Sequence, residues 1–221
     1  MPSPDPGPEL PENPWQRSRR VLRLAVPSAS EMLLGMLVGL VNTYLVGHLG
    51  SASLTAVGLG SQWAMAAMVL FSAVGTGATA LTARMIGASD HVGASRVVGQ
   101  ALAIAVVCGL LSTLLLVAFA EPAMLLMGAH GEAVTQGATY LRIISLVFPV
   151  SALMFVGNAC LRGAGDTRTP LLVMAIVNVI NVVIAWVLVE GIGPFPALGV
   201  AGAAWGSAAG RLAGGLLVLA L

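Results

Sequence analysis

The chain has 221 residues, of which 57% are hydrophobic and only 9% charged, with a formal net charge of +1. Soluble domains carry roughly 25% charged residues, so this supply cannot cover a globular surface in water, and the excess apolar surface must face lipid. The near-neutral balance also excludes a basic surface for nucleic acid.

Residues 1–20 form a tail rich in Pro and acids, predicted to be disordered and cytoplasmic because it cannot bury enough apolar surface to offset its ordering entropy. A cleaved signal peptide does not fit, since the apolar run from Val21 is too long for its hydrophobic core. Six apolar segments follow, at about 22–46, 54–83, 97–119, 134–160, 170–189 and 198–221. Each can cross ~30 Å of hydrocarbon as a helix, and none alternates apolar and polar residues as a barrel strand would. The expected fold is an all-α membrane protein whose residues 21–221 form one bundle of six transmembrane helices.

The loops set an orientation. Arg17, Arg19, Arg20 and Arg23 precede the first span, Arg84 and Arg96 bound the second loop, and Arg162 and Arg168 lie in the fourth. The loops near His48, between Glu121 and Glu132, and around Glu190 contain no Arg. This alternation predicts a multi-pass protein of the cell membrane with both termini in the cytoplasm. The sequence ends in apolar residues after Gly215 without a polar cap, and a piece of a longer polytopic protein is expected.

The sixth segment repeats glycine every fourth residue at Gly202, Gly206, Gly210 and Gly214, a bare stripe on which another helix backbone can lie. Gly35 and Gly39 repeat the spacing once in the first span. Cys108 and Cys160 sit in apolar sequence and are expected to act as small buried hydrophobes.

Ionisable and amide side chains inside spans carry the functional expectation. Glu31 lies roughly 12 Å beyond Arg23 along the first helix, and Asn42 projects from the same face three turns later, close to the line of Gly35 and Val38. Such a face suits a cation or proton site. Asn178 and Asn181, one turn apart, supply two amides from the fifth span. Arg142 and Arg211 are candidates to pair with Glu31 or to snorkel. Pro27 and Pro149 are expected to kink their helices. No nucleophile elbow, metalloprotease motif or phosphate-binding loop is present, so neither an enzyme nor a cofactor is expected. Gly163 to Thr167 reads as a turn with an N-cap signal before Pro170.

The decapeptide Leu161 to Pro170, carrying Arg162, Gly163, Gly165, Asp166 and Thr167, resembles the loop between the fourth and fifth spans of the multidrug and toxic compound extrusion (MATE) family. Further landmarks agree in order: Pro27, Asn42-Thr43, Val46 to Gly50, Ala83-Arg84, Gly87-Ala88, Tyr140 to Arg142, Asn178 with Asn181, and Pro196 to Ala204. The resemblance implies a secondary antiporter exporting amphipathic or cationic compounds against proton or sodium entry. Such proteins have two six-helix lobes, twelve helices in all. This chain would be the N-terminal lobe, partnered by a C-terminal lobe or a second copy. Two departures stand out: many members have Asp at the Asn42 position and an acid near Ala185, which leaves Glu31 as the acid within a span. Two alternatives accompany this reading. One is a flippase for lipid-linked saccharides, which needs cationic cavity residues such as Arg142 and Arg211. The other is a membrane scaffold without transport activity.

Overall fold

The computed structural model describes residues 14–220, with side chains from Ala25 onward except that of Ser28. The first thirteen residues of the expected tail, and the side chains of Arg17, Arg19, Arg20 and Arg23, lie outside the described residues. Eight helices are described: α1 (Pro14–Gly47), α2 (Ser51–Gly87), α3 (His91–Ala118), α4 (Ala120–Leu126), α5 (Glu132–Leu146), α6 (Phe148–Gly163), α7 (Arg168–Glu190) and α8 (Val200–Ala220). No strand occurs among the described residues.

Five of these helices are long and apolar enough to cross a membrane singly, and α5 with α6 makes a sixth span bent by 55°. The bend follows from Pro149, which has no N–H to give the carbonyl four residues back at Ser145. The Thr113 hydroxyl of α3 donates to that carbonyl instead, at 2.6 Å. Gly109, one turn earlier on α3, leaves room for the break: a Cβ there would lie 2.5 Å from the Pro149 Cα. Phe148 is fully buried and meets Phe71 of α2 edge to face. The expected kink at Pro149 is therefore a full interruption, whereas α1 continues through Pro27 as one helix.

The stretch after the third span holds a helix where only a loop was expected. Glu121 in the first turn of α4 suits a helix N-terminus, and Met124 is fully buried beneath it. The Trp63 indole N–H donates to the Ala123 carbonyl at 3.1 Å, tying α4 to α2. Seven residues are too few for a strong periodic signal in the sequence.

The closest packing joins α7 and α8, which run antiparallel. A Cβ on Gly202 would lie 2.6 Å from the Leu188 backbone, on Gly206 2.6 Å from Ala185, and on Gly210 2.6 Å from the Val177 carbonyl. The glycine stripe thus meets backbone along three turns, while Gly214 opens toward Met154 of α6 and Val177. Gly35 and Gly39 behave otherwise: a Cβ on either would meet nothing described from another helix within 4 Å, so no close helix approach occurs there. On α1, partial or full burial falls on Pro27, Ser30, Glu31, Leu34, Val38, Asn42, Leu45 and Val46, a single helical face.

Candidate functional site

Three helices meet in a chain of polar side chains. The Asn42 Nδ2 of α1 donates to Asn181 Oδ1 of α7 at 3.2 Å, and Asn181 Nδ2 donates to the Ser207 hydroxyl of α8 at 3.0 Å. Asn181 and Ser207 are each 8% exposed, so this run of donors lies inside the bundle. Its position follows from helix lengths. Asn181 is nine residues from the end of α7 and Ser207 seven from the start of α8, which places both ~10–14 Å from that end.

Asn178 joins the same region but no described partner accepts from its Nδ2, although the residue is buried. Arg211 follows Ser207 by one turn. The contacts of Gly210 with Val177 and Asn181, and of Gly214 with Val177, put Arg211 level with Asn178 on the facing helix. Helix α5 packs against α8, and its buried Tyr140 lies within electrostatic range of Arg211. Its Nη1 is sealed from the surface and without a partner, while the residue as a whole keeps partial exposure. A charge at mid-bilayer costs ~2.5–3.5 kcal/mol on insertion scales, so Arg211 is an expensive residue to keep there.

Glu31 and Asn42 face the bundle interior from one side of α1, but they serve different partners. Both Glu31 carboxylate oxygens lie 3.3 Å from Arg162 Nη1 at the end of α6, ~16 Å along α1 from Asn42. Neither Arg142 nor Arg211, the two arginines expected as partners, reaches Glu31. Arg142 instead bridges to Glu121 of α4 at 3.0 Å on an exposed rim. The pairing with Arg162 escaped the sequence reading because 131 residues separate the two, and only the docking of α6 against α1 brings them together.

The loop motif folds around Asp166. Its Oδ1 accepts from the backbone N–H groups of Arg168 and Thr169, each at 3.0 Å, and its Oδ2 accepts from the Thr169 hydroxyl. The Thr169 hydroxyl and amide, more than the adjacent Arg168, hold the Asp166 carboxyl below the usual carboxylate value of 3.8. The N-cap of α7 is therefore served by Asp166, because the Thr167 side chain makes no capping bond. Gly165 takes φ +89°, a left-handed turn that glycine adopts without strain. Gly163 packs on the Thr79 backbone of α2, where a Cβ would sit 2.6 Å from its carbonyl oxygen. Thr79 returns the contact by donating to the Ala159 carbonyl at 2.9 Å. Pro170 is buried in the first turn of α7.

Ser207, Tyr140 and the mid-depth setting of Arg211 are the site features that sequence reasoning passed over. Ser207 and Arg211 stand one turn apart inside the glycine stripe, a spacing that could have marked a polar face. Ala185, near which the family resemblance implies an acid, is fully buried against Gly206 and has no space for a longer side chain. Among the described residues no cluster of His, Cys, Asp and Glu could hold a metal ion.

Comparison with known proteins gives this arrangement a lineage. The MatE family profile matches residues 27–187. A probable multidrug resistance protein NorM from Thermotoga maritima is 30% identical over 89% of the chain, which covers 42% of that protein. The multidrug resistance protein PmpM from Pseudomonas aeruginosa is 31% identical over 85% of the chain and is covered over 39% of its length. A transporter of the MOP superfamily from Pyrococcus furiosus superposes with a TM-score of 0.83 at 30% identity, over 90% of this chain and 43% of that one. The chain thus spans about two fifths of the length of the relatives it matches, the extent of one lobe. With apolar helices sufficient for up to six spans and a profile match over most of its length, the chain is a multi-pass membrane protein and belongs to the MatE family.

Proposed function

We propose that this chain serves as the N-terminal lobe of a secondary active exporter that moves amphipathic compounds out of the cell against proton entry. The observation that carries the reading is the Glu31–Arg162 pair. It links the acid inside the first span to the arginine that opens the family-like loop motif. Protonation of Glu31 removes the charge that holds Arg162, so proton uptake loosens α1 from α6 and proton release restores the contact. Sodium would need several oxygen ligands, and Glu31 is the one carboxylate within α1.

The proposed orientation places Arg84, Arg96, Arg162 and Arg168 on the cytoplasmic side, in keeping with the bias of basic loops toward that side. A second lobe, or a second copy of this chain, would complete the translocation path. The family resemblance implies a preference for cations, which the mid-depth cluster does not favour. The mid-depth cluster holds an arginine and amides but no carboxylate among the described residues. That arginine favours a second reading, a flippase for lipid-linked saccharides, whose diphosphates would need such a charge.

Everted vesicles containing the intact transporter would test the proposal, with a fluorescent amphipathic anion and a matching cation as probes. Uptake of either probe driven by an imposed proton gradient, and lost in Glu31→Gln, is the expected result. Gradient-driven uptake that is unchanged in Glu31→Gln would remove the coupling role. Movement of a lipid-linked saccharide without any gradient would favour the flippase.

A further inference from the structure

We propose that Arg211, Asn178, Ser207 and Tyr140 form a mid-depth binding site for a single oxyanion group, a carboxylate or a phosphate, borne by the carried compound. This rests on the reading of the chain as a transport lobe and names the chemistry of the ligand at its inner cluster.

Donor accounting leads to the site. The hydrogen-bond chain runs in one direction, from the Asn42 amide to Asn181 and from Asn181 to Ser207. Ser207 accepts there, so its own O–H remains to be donated, and no described acceptor takes it. Asn178 Nδ2 is a second donor without a partner, and Arg211 Nη1 a third. Tyr140, on α5 where it packs against α8 and within electrostatic range of the guanidinium, offers a hydroxyl in a residue only 8% exposed. Two amide oxygens are also without a described partner, Asn42 Oδ1 on α1 at the far end of the chain of bonds and Asn158 Oδ1 on α6, fewer than the donors. The cluster is therefore rich in donors and positive.

No described carboxylate can neutralise it from within. Glu31 is committed to Arg162, and Glu121 to Arg142. Glu190 closes α7, nine residues beyond Asn181, and Glu132 opens α5, eight residues before Tyr140, each ~12–14 Å away along its helix. The opposite expectation, a cation held by Asn42, Asn178 and Asn181, meets a guanidinium at the same level. A metal or organic cation brought there would face that charge with no acid to offset it. An oxyanion reverses the balance, since it can accept from the guanidinium, an amide and a hydroxyl at once.

The location suits a carried ligand rather than a surface ion. Arg211 lies eleven residues from the start of α8, hence ~16 Å from that side, about half of the ~30 Å hydrocarbon thickness.

Thermal unfolding of the purified protein is the test, with sodium benzoate compared against sodium chloride at equal ionic strength. Nanodiscs of phosphatidylglycerol and of phosphatidylcholine form the second arm. The proposal expects stabilisation by benzoate over chloride, by phosphatidylglycerol over phosphatidylcholine, or by both. Benzoate alone identifies a free organic acid as the source of the group, and phosphatidylglycerol alone a lipid phosphate. Arg211→Gln should weaken the effective anion by at least about tenfold. Asn178→Asp, close to isosteric, should abolish its effect and raise the unfolding temperature without ligand, because Arg211 then has an internal partner. Arg142→Gln, on the exposed rim, should respond as the wild type does. No stabilisation of the wild type in either arm, or stabilisation undiminished in both Arg211→Gln and Asn178→Asp, would overturn the site. Binding is read here without transport, so a failure of the export reading would leave this result standing, and the converse holds as well.

Discussion

Glu31 presents both carboxylate oxygens to one guanidinium nitrogen of Arg162, at 3.3 Å each, and thereby clamps α1 to the end of α6. The pair is about one quarter exposed, with side-chain values of 28% and 20% for Arg162 and Glu31, so solvent screens it only in part. Removing either charge should cost about 1–2 kcal/mol. A double-mutant cycle of Glu31→Gln and Arg162→Gln, read by chemical unfolding, should return a coupling energy of that size. Additive single effects would show that the two groups do not support each other.

Asn181 is the hinge of the polar chain, accepting from Asn42 and donating to Ser207. Asn181→Ala leaves the partly buried Asn42 and the buried Ser207 without that partner, and a loss of about 1–3 kcal/mol follows. Ser207→Ala removes one bond from the end of the chain and should cost less. Thermal shifts of the two variants side by side check the order; an equal or reversed order would contradict the central place of Asn181.

Gly206 meets the Ala185 backbone and Cβ so closely that no side chain fits. Gly206→Leu should force α8 off α7 and abolish stable expression, since overpacking at a helix contact cannot relax through flexible neighbours. Gly35→Leu, facing open space on α1, should leave the unfolding temperature unchanged. Fluorescence-detected gel filtration of the two variants gives the comparison directly.

Asp166 caps α7 as a carboxylate, and its folded-state pKa lies below the usual 3.8. A depressed pKa means that the stabilisation is fully present above the unfolded value and is lost as pH falls through the folded one. Asp166→Ala should therefore be less stable than wild type by about 1 kcal/mol at neutral pH. The two unfolding curves should converge only under strongly acidic conditions. A gap that stays constant into acid would show that the cap does not depend on the charge.

The six-span bundle was legible because each span is a long apolar run, and hydropathy alone marks such runs. The same clarity reached the glycine stripe of α8, whose spacing dictates its partner contact even though it does not name α7. Partners were less accessible. Glu31 stood out as an acid in lipid, but its choice of Arg162 over Arg142 or Arg211 depends on how α6 lies beside α1, which no local pattern encodes. Asn42 and Asn181 could be placed on inward faces, yet Ser207 looked like one more small residue among glycines and alanines until α8 folded against α7. Helix α4 escaped notice because it is short and satisfied mainly by Trp63 of another helix.

The break between α5 and α6 leaves the Ser145 carbonyl to the Thr113 hydroxyl, because Pro149 cannot serve it. The consequence is epistasis between positions on different spans. With Pro149 in place, Thr113→Val should cost about 1–3 kcal/mol, since the carbonyl loses its donor in a setting without water. In a Pro149→Ala background the amide of residue 149 can serve Ser145, and the same Thr113→Val change should be close to silent. Unfolding measurements on the four variants would reveal that sign of non-additivity. Threonine at 113 is then tolerant or obligatory according to what stands at 149, and the two sites change freely only together.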